Sequence, residues 1–191
     1  MFLSKNLEWI KGRFPDAYRR LNSPHQEADA SLRVEAVPSK SGVPTLIIHK
    51  EGKAHYLHSA YDPIHEAESL IRQQQEAENH EHVLFIGVGL GYHIREFMKA
   101  YPGKPFSIYE RDSRIVRAFL DAMDLESCSQ LKGIFFGIDA KELADQWERF
   151  LRLTHGTFHV IALPAYQRLF AEEMQSVLRH LQDAAAKSRL V

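Results

Sequence analysis

The most constraining feature of the sequence is an apolar run over residues 83–86 that leads into three alternating glycines, Gly87, Gly89 and Gly91. Beyond the last glycine, apolar residues recur at helical spacing. A buried strand, a tight glycine turn and a helix N-terminus in this order allow a protein backbone to approach a nucleotide closely. The sequence therefore predicts a strand–turn–helix unit of the Rossmann type at this point.

Two acidic residues follow the glycines at positions that suit a nucleotide site. A second apolar run, over residues 105–109, begins about twenty residues later and ends in Glu110. An acidic residue at the tip of the second strand usually holds ribose hydroxyls. Asp139 follows the predicted third strand. The candidate cofactor-binding residues are therefore Gly87, Gly89, Gly91, Glu110 and Asp139.

The glycine spacing distinguishes between two classes of nucleotide-binding protein. The dinucleotide fingerprint is G-x-G-x-x-G, and its third glycine is replaced here by Tyr92. The observed G-x-G-x-G resembles motif I of the S-adenosylmethionine-dependent methyltransferases, in which Glu110 would hold the ribose and Asp139 would contact adenine. Phe85 departs from that pattern because those enzymes carry an acidic residue there. The alternative is that the glycines only permit close strand–helix packing and that Glu110 is a solvated strand end.

Composition and charge exclude several classes of partner. The net charge of -1 gives no electrostatic reason to expect nucleic acid or an anionic membrane. The single cysteine, Cys128, excludes an internal disulfide framework and fits a reducing cytoplasm. No uncharged apolar run approaches the roughly 18 residues of a transmembrane helix. Charge in residues 1–8 interrupts any signal peptide. We therefore expect a cytoplasmic protein without nucleic-acid or membrane partners.

The first part of the chain has the pattern of a helical segment followed by a small antiparallel sheet. Helical spacing over residues 6–21 predicts a helix that Pro15 kinks or splits, and a polar loop over residues 23–31 follows. Glu51–Gly52 is a hairpin signal, and Asp62–Pro63 opens a helix at its N-cap and first position. Strands are predicted over residues 32–37, 45–50 and 53–58.

Beyond residue 82, strands alternate with helices, which indicates βαβ units and a parallel sheet. Right-handed crossovers make this part a Rossmann-like half with about four mainly parallel strands. The polar segment 73–82 is predicted to link two domains, over residues 1–78 and 79–191. The predicted strands cover residues 83–88, 105–110, 133–137 and 158–162, and the predicted helices 91–101, 112–123, 139–152 and 165–186.

The histidines form no pattern typical of a metal site. His65 and the pair His80 and His82 lack the helical spacing and the third ligand that zinc requires, so no metal is expected. His93 is placed differently, beside the glycines at a predicted helix N-terminus. It would either bind a ligand phosphate or carboxylate there, or face solvent.

The segment Leu163-Pro164-Ala165-Tyr166 lies at the carboxyl end of the fourth predicted strand, where α/β proteins bind ligands. It is similar to the D/N-P-P-Y motif of amino-methylating enzymes, with Leu163 in place of the essential acceptor. We therefore interpret Pro164 as the first residue of a helix. The sequence displays no catalytic constellation, so catalytic residues are not identified.

Several segments carry a further resemblance. Four short segments, over residues 6–8, 13–18, 41–46 and 85–94, are similar to the amino-terminal domain of the motility-associated factor (Maf) family. The most recognisable similarity is the segment Tyr-Leu-His-Ser-Ala-Tyr-Asp-Pro-Ile-His-Glu-Ala-Glu over residues 56–68. Members of that family are bacterial glycosyltransferases that modify flagellin. The similarity includes Phe85, the residue that departs from the methyltransferase pattern.

The resemblance implies a whole enzyme that transfers a sialic-acid-like nonulosonic sugar from its CMP-activated form to flagellin serine or threonine. Its catalytic domain would follow the amino-terminal domain, so this chain is expected to be a non-catalytic accessory domain in flagellar assembly and motility. Flagellin or the following glycosyltransferase domain is the expected partner. The alternative is a nucleotide-binding enzyme of methyltransferase type with S-adenosylmethionine as cofactor. An apolar face of the last helix, which the following domain would cover and which alone would favour a homo-oligomer, comprises Phe170, Met174, Val177, Leu178 and Leu181.

Overall fold

The computed structural model of the chain describes residues 1–23 and 30–189. These residues form a three-stranded antiparallel sheet and a four-stranded parallel sheet with helices, which confirms the predicted α/β class. The predicted polar loop over residues 23–31 falls largely on residues 24–29, which lie outside the described residues. None of the helices in these two ranges combines the length and the hydrophobicity of a membrane-spanning segment.

The predicted N-terminal helix is split in two, as expected from its proline. Helix α1 covers Leu3–Arg13, and helix α2 covers Pro15–Asn22. Proline has no N–H to donate to the preceding turn, but it is well suited to the first position of a new helix. The residue between the helices, Phe14, is correspondingly non-helical.

The small antiparallel sheet comprises β1 (Arg33–Pro38), β2 (Pro44–Lys50) and β3 (Lys53–Tyr56), with β2 in the centre. Glu51 and Gly52 form the two-residue turn between β2 and β3, with φ values of 52° and 74°. Positive φ at both positions is typical of a type I′ hairpin turn.

Helix α3 (Pro63–Arg72) follows the small sheet. Asp62 is its N-cap, and the carboxylate of this residue accepts hydrogen bonds from the backbone N–H groups of Ile64 and His65. The predicted N-cap and first-turn proline are therefore confirmed.

The parallel sheet has the strand order of the first four strands of a doubly wound fold. Its order is β6-β5-β4-β7, which corresponds to 3-2-1-4 in a Rossmann sheet. Right-handed crossovers put α4 and α5 on one face and α6 on the other. The elements are β4 (His82–Ile86), α4 (Tyr92–Ala100), β5 (Phe106–Glu110), α5 (Ser113–Ala122), β6 (Leu131–Phe136), α6 (Ala140–Thr154) and β7 (Phe158–Ala162).

The last predicted helix is interrupted, and its apolar face is covered within the chain. Phe170 has φ −133° and ψ 43°, which separates α7 (Pro164–Leu169) from α8 (Ala171–Arg189). Met174, Val177 and Leu181 are buried, because α8 packs against α6. The expectation that this face waits for another domain or for a second copy is therefore wrong for these three residues.

One continuous hydrophobic core includes residues from both parts of the chain, from Ile10 to Leu181. Polar contacts also join the two parts: Arg114 donates to the carbonyl of Leu32, and Lys50 Nζ donates to the carbonyl of Leu169 at 2.9 Å. The predicted linker contains a 3-10 helix over Gln75–Asn79. The position of the domain boundary stays a prediction.

Candidate functional site

The carboxyl end of the parallel sheet is the place where this fold usually binds ligands. Strand β4 lies between β5 and β7, so the strand order reverses beside it, and ligands of open α/β sheets bind at such a switch point. We call residues 87–91, which follow β4, the glycine loop. The backbone N–H of Leu163 donates to the carbonyl of Ile86 at 3.2 Å, which holds the start of α7 beside this loop.

The glycine loop has the backbone conformation that its sequence predicts. Gly87, Gly89 and Gly91 have φ values of 86°, 49° and 83°, in the left-handed region that favours glycine. Gly91 is also the N-cap of α4. The predicted order of strand, glycine turn and helix is therefore confirmed.

His58, from the segment between β3 and α3, lies directly on the glycine loop. A Cβ atom at Gly89 would lie 2.3 Å from Nε2 of His58, so a larger residue would collide with the ring. The backbone N–H of Leu90 donates to Nε2 of His58 at 2.8 Å. Nε2 therefore carries no proton, and the ring is neutral. Burial, with a smaller effect of His93, lowers the pKa of His58 to about 3, which agrees with a neutral ring.

Side chains from α5, its C-terminal end and α7 cover the other two glycines. A Cβ atom at Gly87 would lie 2.7 Å from the ring of Tyr166, and one at Gly91 would lie 2.7 Å from the sulfur of Met123. The three glycines thus let side chains of the chain itself approach the loop backbone. The sequence had raised the alternative that the glycines only permit close packing of a strand against a helix. In the structure the glycines permit the close approach of individual side chains as well.

Glu110 is buried beside the glycine loop, so the expectation of a solvated strand end is wrong. Its carboxylate accepts hydrogen bonds from Val88 N–H at 3.3 Å, from Asp112 N–H at 3.1 Å and from the hydroxyl of Tyr166. Burial raises the pKa of Glu110 to about 8, although the three donors act in the opposite direction. The carboxylate that would hold a ribose is therefore bound by the loop backbone and by α7.

Asp139 has a different local role. It is the N-cap of α6, and its carboxylate accepts a hydrogen bond from the backbone N–H of Glu142 at 2.8 Å. The structure thus brings Glu110 and the glycine loop together, whereas the carboxylate of Asp139 caps a helix. Nucleotide binding by the five candidate residues stays a prediction.

His93 is enclosed by the fold rather than facing solvent. Its Nε2 donates to the carbonyl of Gly87 at 3.0 Å, and its ring lies edge-on to Phe85. Nδ1 of His93 is buried and has no hydrogen-bond partner among the described residues. Burial lowers the pKa of His93 to about 4. The solvent-facing alternative for this residue is therefore wrong.

His80 and His82, which were considered as metal ligands, form hydrogen bonds within the chain. His80 Nδ1 lies 2.9 Å from the carbonyl oxygen of Glu76, and His82 Nε2 lies 2.9 Å from the hydroxyl of Ser107. Across residues 1–23 and 30–189, no group of three or more His, Cys, Asp or Glu side chains could hold a metal ion.

Sequence reasoning missed the two side chains that dominate the site. His58 lies within the most recognisable segment, residues 56–68, but nothing in the spacing connects it to a loop 32 positions from it in sequence. Tyr166 lies in the tetrapeptide considered for ligand binding, whereas its hydroxyl binds Glu110. Pro164 is the first residue of α7, as predicted.

These features define a Rossmann-like α/β domain in which side chains of the chain itself lie against the glycine loop at the switch point. The chain belongs to the family described as Glycosyltransferase Maf N-terminal domain, which matches residues 22–188. The resemblance seen in the sequence is thereby confirmed.

Among solved structures, the chain is similar to the Maf glycosyltransferase from Magnetospirillum magneticum AMB-1, with 16% sequence identity and a TM-score of 0.54. The match covers 96% of this chain and 35% of that protein, so the chain spans about a third of its length. At this identity the likeness shows the fold. No curated protein sequence matches the chain.

Proposed function

We propose that the chain is an accessory, non-catalytic domain of a bacterial flagellin glycosyltransferase that works in the cytoplasm and serves motility. In this proposal the whole enzyme uses a CMP-activated nonulosonic sugar, and the domain orients flagellin or braces the catalytic domain. The family match over residues 22–188 supports the glycosyltransferase context.

The observation that carries the accessory role is the contact between His58 and the glycine loop. The switch point is where a Rossmann-like domain would bind a nucleotide. Here the ring of His58 accepts the Leu90 N–H at 2.8 Å and lies against Gly89. A nucleotide would have to displace this ring, so we assign sugar-donor binding to another part of the enzyme.

The exposed part of the segment 56–68 suits an acceptor contact. Tyr61 is 64% exposed and Ile64 is 38% exposed, and the ammonium group of Lys40 lies 4.3 Å from the centroid of the Tyr61 ring. Aromatic side chains on a surface contribute large contact areas to protein recognition. We therefore place the flagellin contact at Tyr61.

The proposal is tested in the native strain by the mass of flagellin and by flagellin binding. Deletion of the codons for this domain should reduce flagellin glycosylation, and the purified chain should bind flagellin. Tyr61→Ala should weaken that binding, whereas Leu153→Ala, at a position that is 82% exposed on α6, should leave it unchanged. Unaltered glycosylation together with no flagellin binding would reject the accessory role.

A nucleotide-binding enzyme of methyltransferase type remains the second candidate, because the strand order and the position of Glu110 fit that class. A calorimetric titration of the chain with S-adenosylmethionine, S-adenosylhomocysteine, CMP, a CMP-activated nonulosonic sugar and NAD separates the two functions. We expect no binding. Micromolar binding of the adenosyl ligands that Gly89→Asp abolishes would favour the methyltransferase type.

A further inference from the structure

We infer that the imidazole of His58 is a built-in ligand of the glycine loop: it closes the loop to external ligands, and its removal turns the loop into a site for small heteroaromatic rings with a hydrogen-bond acceptor. A hydrogen bond, the shape of the loop and the fixed backbone of His58 together support this assignment. It concerns the loop alone and does not depend on the proposed role in glycosylation.

The hydrogen bond satisfies the donor that an external ligand would use. Leu90 precedes Gly91, the N-cap of α4, so its backbone N–H lies outside the helix and has no partner within it. In nucleotide-binding folds such donors bind phosphate oxygens. Here Nε2 of His58 accepts this hydrogen at 2.8 Å, so the donor is already satisfied.

The shape of the loop matches the ring. A Cβ atom at Gly89 would lie 2.3 Å from Nε2 and 2.6 Å from Cε1 of His58, and 3.2 Å from Cδ1 of Leu163. The ring of Tyr92 lies edge-on to the His58 ring at a centroid distance of 5.3 Å. The imidazole therefore occupies a space that is bounded by glycine backbone, an aliphatic side chain and an aromatic edge.

The backbone of His58 is fixed independently of its ring. The hydroxyl of Thr45 donates to the carbonyl of His58 at 3.0 Å, and Leu57 N–H donates to the carbonyl of Leu46 at 2.8 Å. Strand β2 thus anchors this segment through backbone atoms. Because surrounding structure relaxes only partly when a buried side chain is removed, His58→Gly should leave a cavity of the size of the ring.

The test is the binding of imidazole to His58→Gly in the chain of 191 residues. Millimolar imidazole should raise the melting temperature of His58→Gly and shift the amide resonance of Leu90, with a dissociation constant on the order of 1 mM for so small a ligand. The wild-type chain should show neither effect. A folded His58→Gly that does not bind imidazole, or a wild-type chain that binds it equally well, would overturn the inference.

Pyrrole is the matched control ligand. It has nearly the shape of imidazole but offers no nitrogen acceptor to the Leu90 N–H. It should bind His58→Gly roughly tenfold more weakly, because the amide would stay unsatisfied. Equal binding of the two rings would show that the hydrogen bond is irrelevant and would reject the ligand role of Nε2.

A measurement on the wild-type chain decides the inference if His58→Gly does not fold. Nitrogen NMR should show that Nε2 of His58 is unprotonated and hydrogen-bonded to the Leu90 amide. Addition of CMP or S-adenosylmethionine should leave the Nε2 resonance of His58 and the amide resonance of Leu90 unchanged. A protonated Nε2, or a nucleotide that shifts the Leu90 amide, would contradict it. Flagellin glycosylation does not enter these measurements, so failure here is distinct from failure of the proposed function.

Discussion

The side chain of Asn6 accepts a hydrogen bond from the backbone N–H of Leu125 at 3.0 Å. The same side chain donates to the carbonyls of Leu120 and Met123, each at 2.6 Å. Asn6 is completely buried in α1. Its carboxamide thus attaches the N-terminal helix to the end of α5 and to the turn that follows it.

Replacement of Asn6 by alanine should cost at least about 3 kcal/mol of unfolding free energy, because three buried backbone groups would lose their partners. Urea unfolding followed by circular dichroism measures the change. Asn79→Ala is the control, since the Asn79 side chain is exposed and donates to the carboxylate of Glu76, and it should cost less than about 0.5 kcal/mol. Similar losses for the two variants would contradict the attachment role of Asn6.

Tyr166→Phe should destabilise the domain by about 2 kcal/mol, because Glu110 would lose a buried hydroxyl donor. The pKa of Glu110 should rise further, since hydrogen bonds to a carboxylate favour its charged form. Urea unfolding and NMR titration of Glu110 measure the two effects. Tyr61→Phe, on the exposed surface, is the control. An unchanged pKa of Glu110 in Tyr166→Phe would argue against the bond.

Stability should decrease as the pH falls from 7 to 5. Burial lowers the pKa values of His58 to about 3 and of His82 and His93 to about 4, from the ordinary 6.5. Their stabilising contribution is complete above pH 6.5 and is lost as the pH falls through the lowered values. Glu110 has the opposite effect, because burial raises its pKa to about 8. Its stabilising contribution is complete below pH 4.5 and is lost as the pH rises through about 8.

Near pH 5, the buried rings of His58, His82 and His93 take up protons on unfolding, whereas the carboxyl of Glu110 releases one. The net uptake of about two protons predicts a slope of roughly 2–3 kcal/mol per pH unit in the free energy of unfolding. His82→Gln should reduce the slope by about half, because one of the three buried rings would no longer take up a proton on unfolding. Urea unfolding at pH 5, 6 and 7 tests this, and equal free energies at all three values would be incompatible with neutral buried rings.

Two glycines with open surroundings should respond in opposite directions to alanine. Apart from the adjoining backbone, no heavy atom of the part of the chain that the structure describes lies within 4 Å of a Cβ built at Gly12 or at Gly52, so neither substitution creates a clash there. Gly12→Ala in α1 should stabilise the domain by about 0.5–1 kcal/mol, because glycine is a poor helix former. Gly52→Ala should cost about 1 kcal/mol, because Gly52 has φ 74°. Thermal unfolding measures both, and changes of the same sign would show that backbone conformation is not the cause.

Local chemistry in the sequence predicts the elements of this fold well. Strand β7 covers the expected residues 158–162, and Pro15 and Pro164 begin helices as expected. The break at Phe170 was missed because no proline or glycine marks it, and the apolar spacing continues across it. The break can be recognised only from the three-dimensional structure, in which α7 and α8 are separate helices.

The backbone conformation of the candidate site could be predicted from the sequence, but the side chains that lie against it could not. Glycines at positions 87, 89 and 91 indicate a loop that something approaches closely, and this holds. That the approaching groups are His58 and Tyr166 depends on how the small sheet and α7 pack against the loop. Contacts between residues so far apart in sequence leave no periodic pattern.

The pairing of His58 with Gly89 has a consequence for how such chains are classified. A comparison that scores only the G-x-G-x-G pattern would group this domain with nucleotide-binding enzymes. In relatives that share the contact, positions 58 and 89 should change together: a smaller residue at 58 should accompany either a larger one at 89 or a genuinely open pocket. The residues at positions 58 and 89, considered together, would therefore distinguish domains whose glycine loop is open to a ligand from domains whose glycine loop is covered by their own side chain.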